Sequence, residues 1–125
     1  MNRDKLVELY KKYDLTAEDV FKHQHYVIIT RQGIDKIQGI EKININYEVI
    51  QCTPNFSVMR ATATKEGARV ETFGSALKGD NFKDGNCNSW YVAEMAEKRA
   101  MSRAVLKLTG FYELGVFGED EADNF

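Results

Sequence analysis

The chain has 125 residues, 43% hydrophobic and 11% aromatic, with a formal net charge of −2, which suits one domain with a single core and excludes two ordinary domains or global disorder. No apolar run is long enough to cross a bilayer as a helix, and the opening "MNRDKLVELYKKYD" is a charged helical pattern rather than a signal peptide, so a cytoplasmic protein is expected. Cys52 and Cys87 stand far apart with no CxxC between them, which leaves a metal site and a disulfide framework without support and predicts reduced thiols.

In chain order, residues 3–13 place Leu6, Leu9, Tyr10 and Tyr13 on one face of a short helix. Thr16 with Asp19 three residues on approximates a capping box, so "TAEDVFKH" reads as a second brief helix. "HYVIIT", 25–30, is a β-branched strand, and "RQGIDKIQGI" returns to helical spacing through Ile34, Ile37 and Ile40. From Ile43 the period drops to two through "INYEVIQC", "FSVMRATAT" and "RVETFGSA", with Pro54-Asn55 and Glu66-Gly67 as tight connections. Three antiparallel strands in a meander are the simplest topology. Gly74, near the end of the third strand, fits a turn or bulge.

Residues 77–89, rich in Gly, Asn, Asp and Lys, read as an exposed loop. Ser89 is placed to cap a long helix over 90–108, and Gly110 stands where a left-handed C-terminal cap belongs. On that helix Ala93, Ala100, Met101, Ala104 and Leu108 form an arc that lets it lie close to a sheet. The predicted architecture is α+β: N-terminal helices, then a three-stranded antiparallel meander packed on one long C-terminal helix. The domain is expected over 1–117, with 118–125 an acidic mobile tail.

Charge is unevenly spread. Residues 1–112 hold all 17 cations against 14 acids, whereas Glu113, Glu119, Asp120, Glu121 and Asp123 follow with no Lys or Arg among them. Arg99, Arg103 and Lys107 recur at every fourth position of the long helix, beside the alanine arc. Spacing alone fits a solvated helix face better than a functional row, yet such a stripe can meet phosphates, with Arg as a fork and Lys as a point charge. Lys78 and Lys83 in the loop, and Arg60, Lys65 and Arg69 in the strands and hairpin, are candidates to extend a basic groove. Trp90 and Tyr91 border the loop and can stack on a base, although anchoring the helix to the sheet is the plainer duty.

Catalytic patterns are thin: there is no phosphate-binding lysine loop, no GxSxG and no dinucleotide fingerprint. His23, His25, Ser75 and Asp80 bear no spacing relation to one another, so an enzyme is not expected.

Read together, "ATATKEGARVETFGSA", "LKGDNFKDG" and "YVAEMAEKRAMSRAVLKLTG" resemble the single-strand annealing proteins of the Rad-fifty-two superfamily, which include phage Erf-like and Sak-like recombination proteins. "TRQGIDKIQGIE" is similar to the Arg-led short helix before that family's meander, and the resemblance spans residues 26–115. It implies binding of single-stranded DNA along the sugar–phosphate backbone, annealing for recombination or repair without a nucleotide or other cofactor, and assembly into a homo-oligomeric ring or filament. Arg103 matches the basic ending of the family's long helix, Arg31 the residue opening its short helix, and Lys78 its lysine-bearing loop, a second DNA contact. Ser102 stands where the family carries a lysine, and Lys107 lies one position late. The DNA-binding set expected is therefore Arg31, Lys78, Lys83, Arg99, Arg103 and Lys107. The tail ending in Phe125 resembles the partner-recruiting tips of bacterial single-stranded-DNA-binding proteins, or competes with DNA for the basic groove. The rival classes are a protein–protein adaptor of a phage or mobile element that keeps the fold without DNA, and a small α+β enzyme.

Overall fold

A computed structural model describes residues 3–81 and 83–122. Helix α1, Arg3–Lys12, turns Leu6 into the core with Leu9 and Tyr10 packed beside it, and Tyr13 follows as one of the largest fully buried side chains. The predicted second helix is absent. Thr16 and Asp19 do close a turn, the Thr16 N–H and hydroxyl both donating to Asp19 Oδ2, but the chain then runs extended as β1, Val20–His23. β1 pairs antiparallel with β2, Tyr26–Ile29, across a turn in which Gln24 takes a positive φ of 57°. The competing force is tertiary: Ile28 and Ile29 are fully buried, and a strand beside them supplies backbone partners that a one-turn helix would not.

α2, Arg31–Glu41, begins where predicted, with the Thr30 hydroxyl accepting the Gly33 N–H as an N-cap. The meander follows as β3, Asn44–Thr53, β4, Phe56–Lys65, and β5, Ala68–Leu77, in antiparallel order. Glu66 and Gly67 both take positive φ, 43° and 87°, as a primed two-residue hairpin turn requires. Alternation is strict in β4: Ser57, Met59, Ala61 and Ala63 point to the core and their neighbours point away.

The inner face of the meander meets α3, Val92–Thr109. Ala96, Ala100 and Ala104 are fully buried, and Gly74 lies in register with Met59 inside β5 rather than in a bulge. A methyl built on Gly74 would overlap the Ala96 carbonyl and the Ala100 amide, so this glycine serves the close crossing of helix over strand. The Thr72 hydroxyl donates to the Ala100 carbonyl, 2.6 Å, at the same crossing. α3 starts two residues later than predicted, with Ser89 Oγ accepting the Tyr91 N–H outside the helix, while Gly110 takes the left-handed cap at φ 91°. Trp90 and Tyr91 do not anchor the helix; they are 67% and 70% exposed.

After a 3-10 turn at Tyr112–Leu114, β6, Val116–Gly118, pairs parallel with β2 and completes a second sheet of order β1-β2-β6. β6 of this sheet, α2 and the 3-10 turn also pack on α3, and Met101, Ser102, Val105 and Leu106 are buried as well. Within the expected tail, Gly118 belongs to β6 and Glu119–Ala122 forms a short helix, α4. Phe125, the partner-recruiting tip, and Asp123 lie outside the described residues.

Two carboxylates, Glu41 partly buried and Asp19 fully buried, tie elements together. Glu41, at the end of α2, accepts the Tyr13 hydroxyl, pairs with Lys12 of α1 at 3.0 Å, and pairs with Lys65 at the end of β4. Lys65, then Tyr13 and Lys12, hold the Glu41 carboxyl down to about 2 against the opposing effect of burial. Asp19 is fully buried; burial works to raise its carboxyl, and the Lys36 ammonium at 2.7 Å with the Thr16 donors outweighs it.

Candidate nucleic-acid interface

α3 carries the predicted cationic row, but the row is not straight. A four-residue step overshoots a 3.6-residue turn by about 40°, so Arg99 and Lys107 stand about 80° apart around the axis. Burial follows that drift. Arg99 is 4% exposed, the Arg103 side chain is 35% exposed, and Lys107 is exposed with its ammonium 5.2 Å from the Tyr112 ring centroid.

Arg99 faces the sheet and gives its guanidinium to backbone carbonyls: Nη1 to Ser75 at 2.8 Å, Nη2 to Asn86 at 2.7 Å and Nε to Asp120 at 3.1 Å. It is a structural clamp, and the expectation that it lies on a strand of phosphates is corrected accordingly. Arg103, one turn on, donates from Nη1 to the Phe73 carbonyl, 3.1 Å, and forks onto Glu121, 2.9 Å from Nη2 to Oε2. That carboxylate holds the Arg103 guanidinium above its ordinary value. Asn86 completes the series, its N–H donating to the Leu77 carbonyl and its Oδ1 accepting the Leu77 N–H. The outer edge of β5 is thus capped toward its C-terminal end at residues 73, 75 and 77 by side chain and loop, which opposes addition of another strand along that stretch.

Between this edge and α3 lies a cleft of about 180 Å³ lined by Phe73, Gly74, Ser75, Asn86, Arg99, Arg103 and Glu121. The Phe73 ring points to the outer face of the sheet and is 49% exposed. The cleft therefore sets a partly exposed cation against a clamped strand edge, and the Phe73 side chain lies on the outer face of that strand.

The other predicted cations are distributed around it. Arg31 is the first residue of α2; its Nε lies 3.6 Å from Asp35, and its N–H donates to Glu119 Oε1 at 2.9 Å. Lys78 is largely covered, 5.0 Å from the Trp90 ring centroid and 3.2 Å from Asp80. Lys83 is exposed in the same loop. Arg60, Lys65 and Arg69 do not line the cleft; each pairs elsewhere, with Glu48, Glu41 and Glu71 respectively. Arg99 and Arg103 are brought together at the cleft, whereas Arg31, Lys78, Lys83 and Lys107 do not line it; Arg31 meets the terminal segment through its backbone N–H.

The sequence marks the acidic tail as a competitor for the basic groove, but it does not reveal Ser102 and Arg103 as the side chains that meet its acids. Ser102 is fully buried and donates to Asp120 Oδ2 at 3.0 Å. The signal was present as complementary charge, an acidic block at 119–121 following a basic body. Among the described residues, no group of three or more His, Cys, Asp or Glu is arranged to hold a metal ion. Cys52 and Cys87 are both free thiols. No described helix is long and apolar enough to cross a membrane. Comparison of the chain with protein-family models, with curated proteins and with solved structures finds no match.

Proposed function

We propose that the chain binds single-stranded DNA and promotes annealing of complementary strands in homologous recombination or repair, as a cytoplasmic, non-enzymatic homo-oligomer of phage or mobile-element type. The observation that carries this reading is the partly exposed Arg103 guanidinium at the rim of the cleft, held by the Phe73 carbonyl, with the Phe73 side chain exposed on the outer face of the same strand. Single-strand binders combine these two features, a guanidinium for the phosphate and a π face for the sugar or base. The Rad-fifty-two-like resemblance supports the same reading, since the meander followed by a long helix is the architecture it implies. The contact set is revised in one respect: Arg103 and Arg31 contact the strand, Lys78, Lys83 and Lys107 add long-range attraction, and Arg99 positions the cleft wall.

Fluorescence anisotropy with labelled single-stranded and duplex oligonucleotides tests this. The wild type should prefer the single strand, with affinity falling steeply as salt rises. Phe73→Ala should cost about 1–3 kcal/mol of binding, and Arg103→Gln should flatten the salt dependence by about 0.7 in log–log slope, the loss of one phosphate contact. Absence of single-strand binding at low salt, by the wild type and by a variant in which Glu119, Asp120 and Glu121 are neutralised, rejects the reading.

One observation favours the adaptor alternative. β3 is an uncovered edge strand exposing Tyr47, Val49 and Ile50, with a bulge at Ile50, and such an edge suits a protein partner as well as a second copy. Failure to bind oligonucleotides together with capture of a protein through β3 would select it.

A further inference from the structure

The terminal helix lays three consecutive carboxylates on three donors from two other elements. The Arg31 N–H at the start of α2 donates to Glu119 Oε1 at 2.9 Å. Ser102 Oγ of α3 donates to Asp120 Oδ2 at 3.0 Å. Arg103 forks onto Glu121, Nη2 to Oε2 at 2.9 Å and Nε to Oε1 at 3.4 Å. Glu121 is only 6% exposed, an uncommon position for a surface acid and one that its guanidinium partner makes tolerable.

A guanidinium fork, a hydroxyl and a first-turn helical N–H are donors that serve phosphate oxygens as readily as carboxylates. Arg99 adds a bond to the Asp120 carbonyl, so the segment is seated by backbone as well as by charge. The seat has a fixed hinge. Gly118 closes β6 against β2 and packs on Ser102, where a methyl would collide with the serine side chain. Release of the acids therefore needs movement only after residue 118.

We infer that Glu119–Glu121 is an intramolecular competitor for the nucleic-acid strand, holding the Arg31, Ser102 and Arg103 donors until a polyanion displaces it. The inference rests on the strand-binding reading of Arg103 and adds its regulation. A closed segment lowers apparent affinity by the fraction of molecules in which it is open. Neutralising the three acids raises that fraction.

The test compares the wild type with the triple variant Glu119→Gln, Asp120→Asn, Glu121→Gln, which keeps shape and one acceptor oxygen per side chain but removes charge. A chain ending after Gly118 serves as a second variant, and Arg103→Gln as a third. Anisotropy with a fluorescein-labelled oligothymidylate is measured over a salt series, with circular-dichroism melts confirming that each variant is folded. The triple variant should bind on the order of tenfold more tightly at low salt, with a steeper salt slope. Binding by the triple variant where the wild type shows none gives the same support. Equal or weaker affinity in the triple variant, with Arg103→Gln weaker than wild type, overturns the competitor and leaves strand binding intact. Absence of binding by every folded variant overturns both. Should the shortened chain unfold, the amide variant carries the test alone.

Discussion

A buried arginine and a half-exposed one, a single helical turn apart, divide structure from recognition. Arg99 supplies donors to three carbonyls, those of Ser75, Asn86 and Asp120, at a site with almost no solvent. Arg99→Met keeps the length of the side chain and removes the donors; it should lower unfolding free energy by ~3 kcal/mol in a urea titration, and wild-type stability would mean that water satisfies those carbonyls. Glu41 gives a second residue-scale expectation. Its carboxyl is lowered from 4.5 to about 2 by Lys65, Tyr13 and Lys12, so the folded state holds the charged form more strongly than the unfolded chain does. Its contribution, ~2–3 kcal/mol, is complete above the ordinary carboxylate range and is lost as pH falls toward 2. Urea midpoints for the wild type should drop across that acid range, and Glu41→Gln should be less stable near neutrality with a flatter profile. An unchanged profile would remove Glu41 as the source.

Among the elements, the crossing of α3 over β5 is the tightest contact and the least forgiving. Gly74→Ala would press a methyl into the Ala96 carbonyl and Ala100 amide, both backbone atoms that cannot swing aside. The expected cost is about 3 kcal/mol, read as a lower thermal midpoint, whereas a neutral outcome would show that helix and sheet can separate there. This meander and its helix were legible in sequence because alternation in β4 and the alanine arc of α3 answer to a single buried face each. Elements with tertiary causes were not. β1 follows a capping-box pattern at Thr16 and Asp19 yet becomes a strand because Ile28 and Ile29 need a neighbour, and β6 is three residues long, too short for any period to show. The cationic row illustrates the same limit within the site: spacing located Arg99, Arg103 and Lys107 correctly on one side of the helix, but only the packed sheet decides that the first is enclosed and the last is free to reach solvent.

For the whole molecule, charge and sheet edges are both asymmetric. The basic body folds its own acidic end back against α2 and α3, so the net charge of −2 understates the field that the body would present with that end displaced. The meander is equally one-sided: Arg103, Arg99 and Asn86 occupy the rim of β5, while β3 keeps Tyr47, Val49 and Ile50 exposed. If homo-oligomers form through β3, Ile50→Lys should leave the melting temperature unchanged and reduce the sedimentation coefficient. Retention of the wild-type value would direct attention to another surface. The capped rim also limits what stoichiometry is available. Two molecules joining β3 to β3 would consume the open border of each and stop at a symmetric pair. A closed circle of many subunits instead demands that β3 of one molecule grip an unlike patch on the next, so a simple particle mass tells which of these two contact geometries the protein uses.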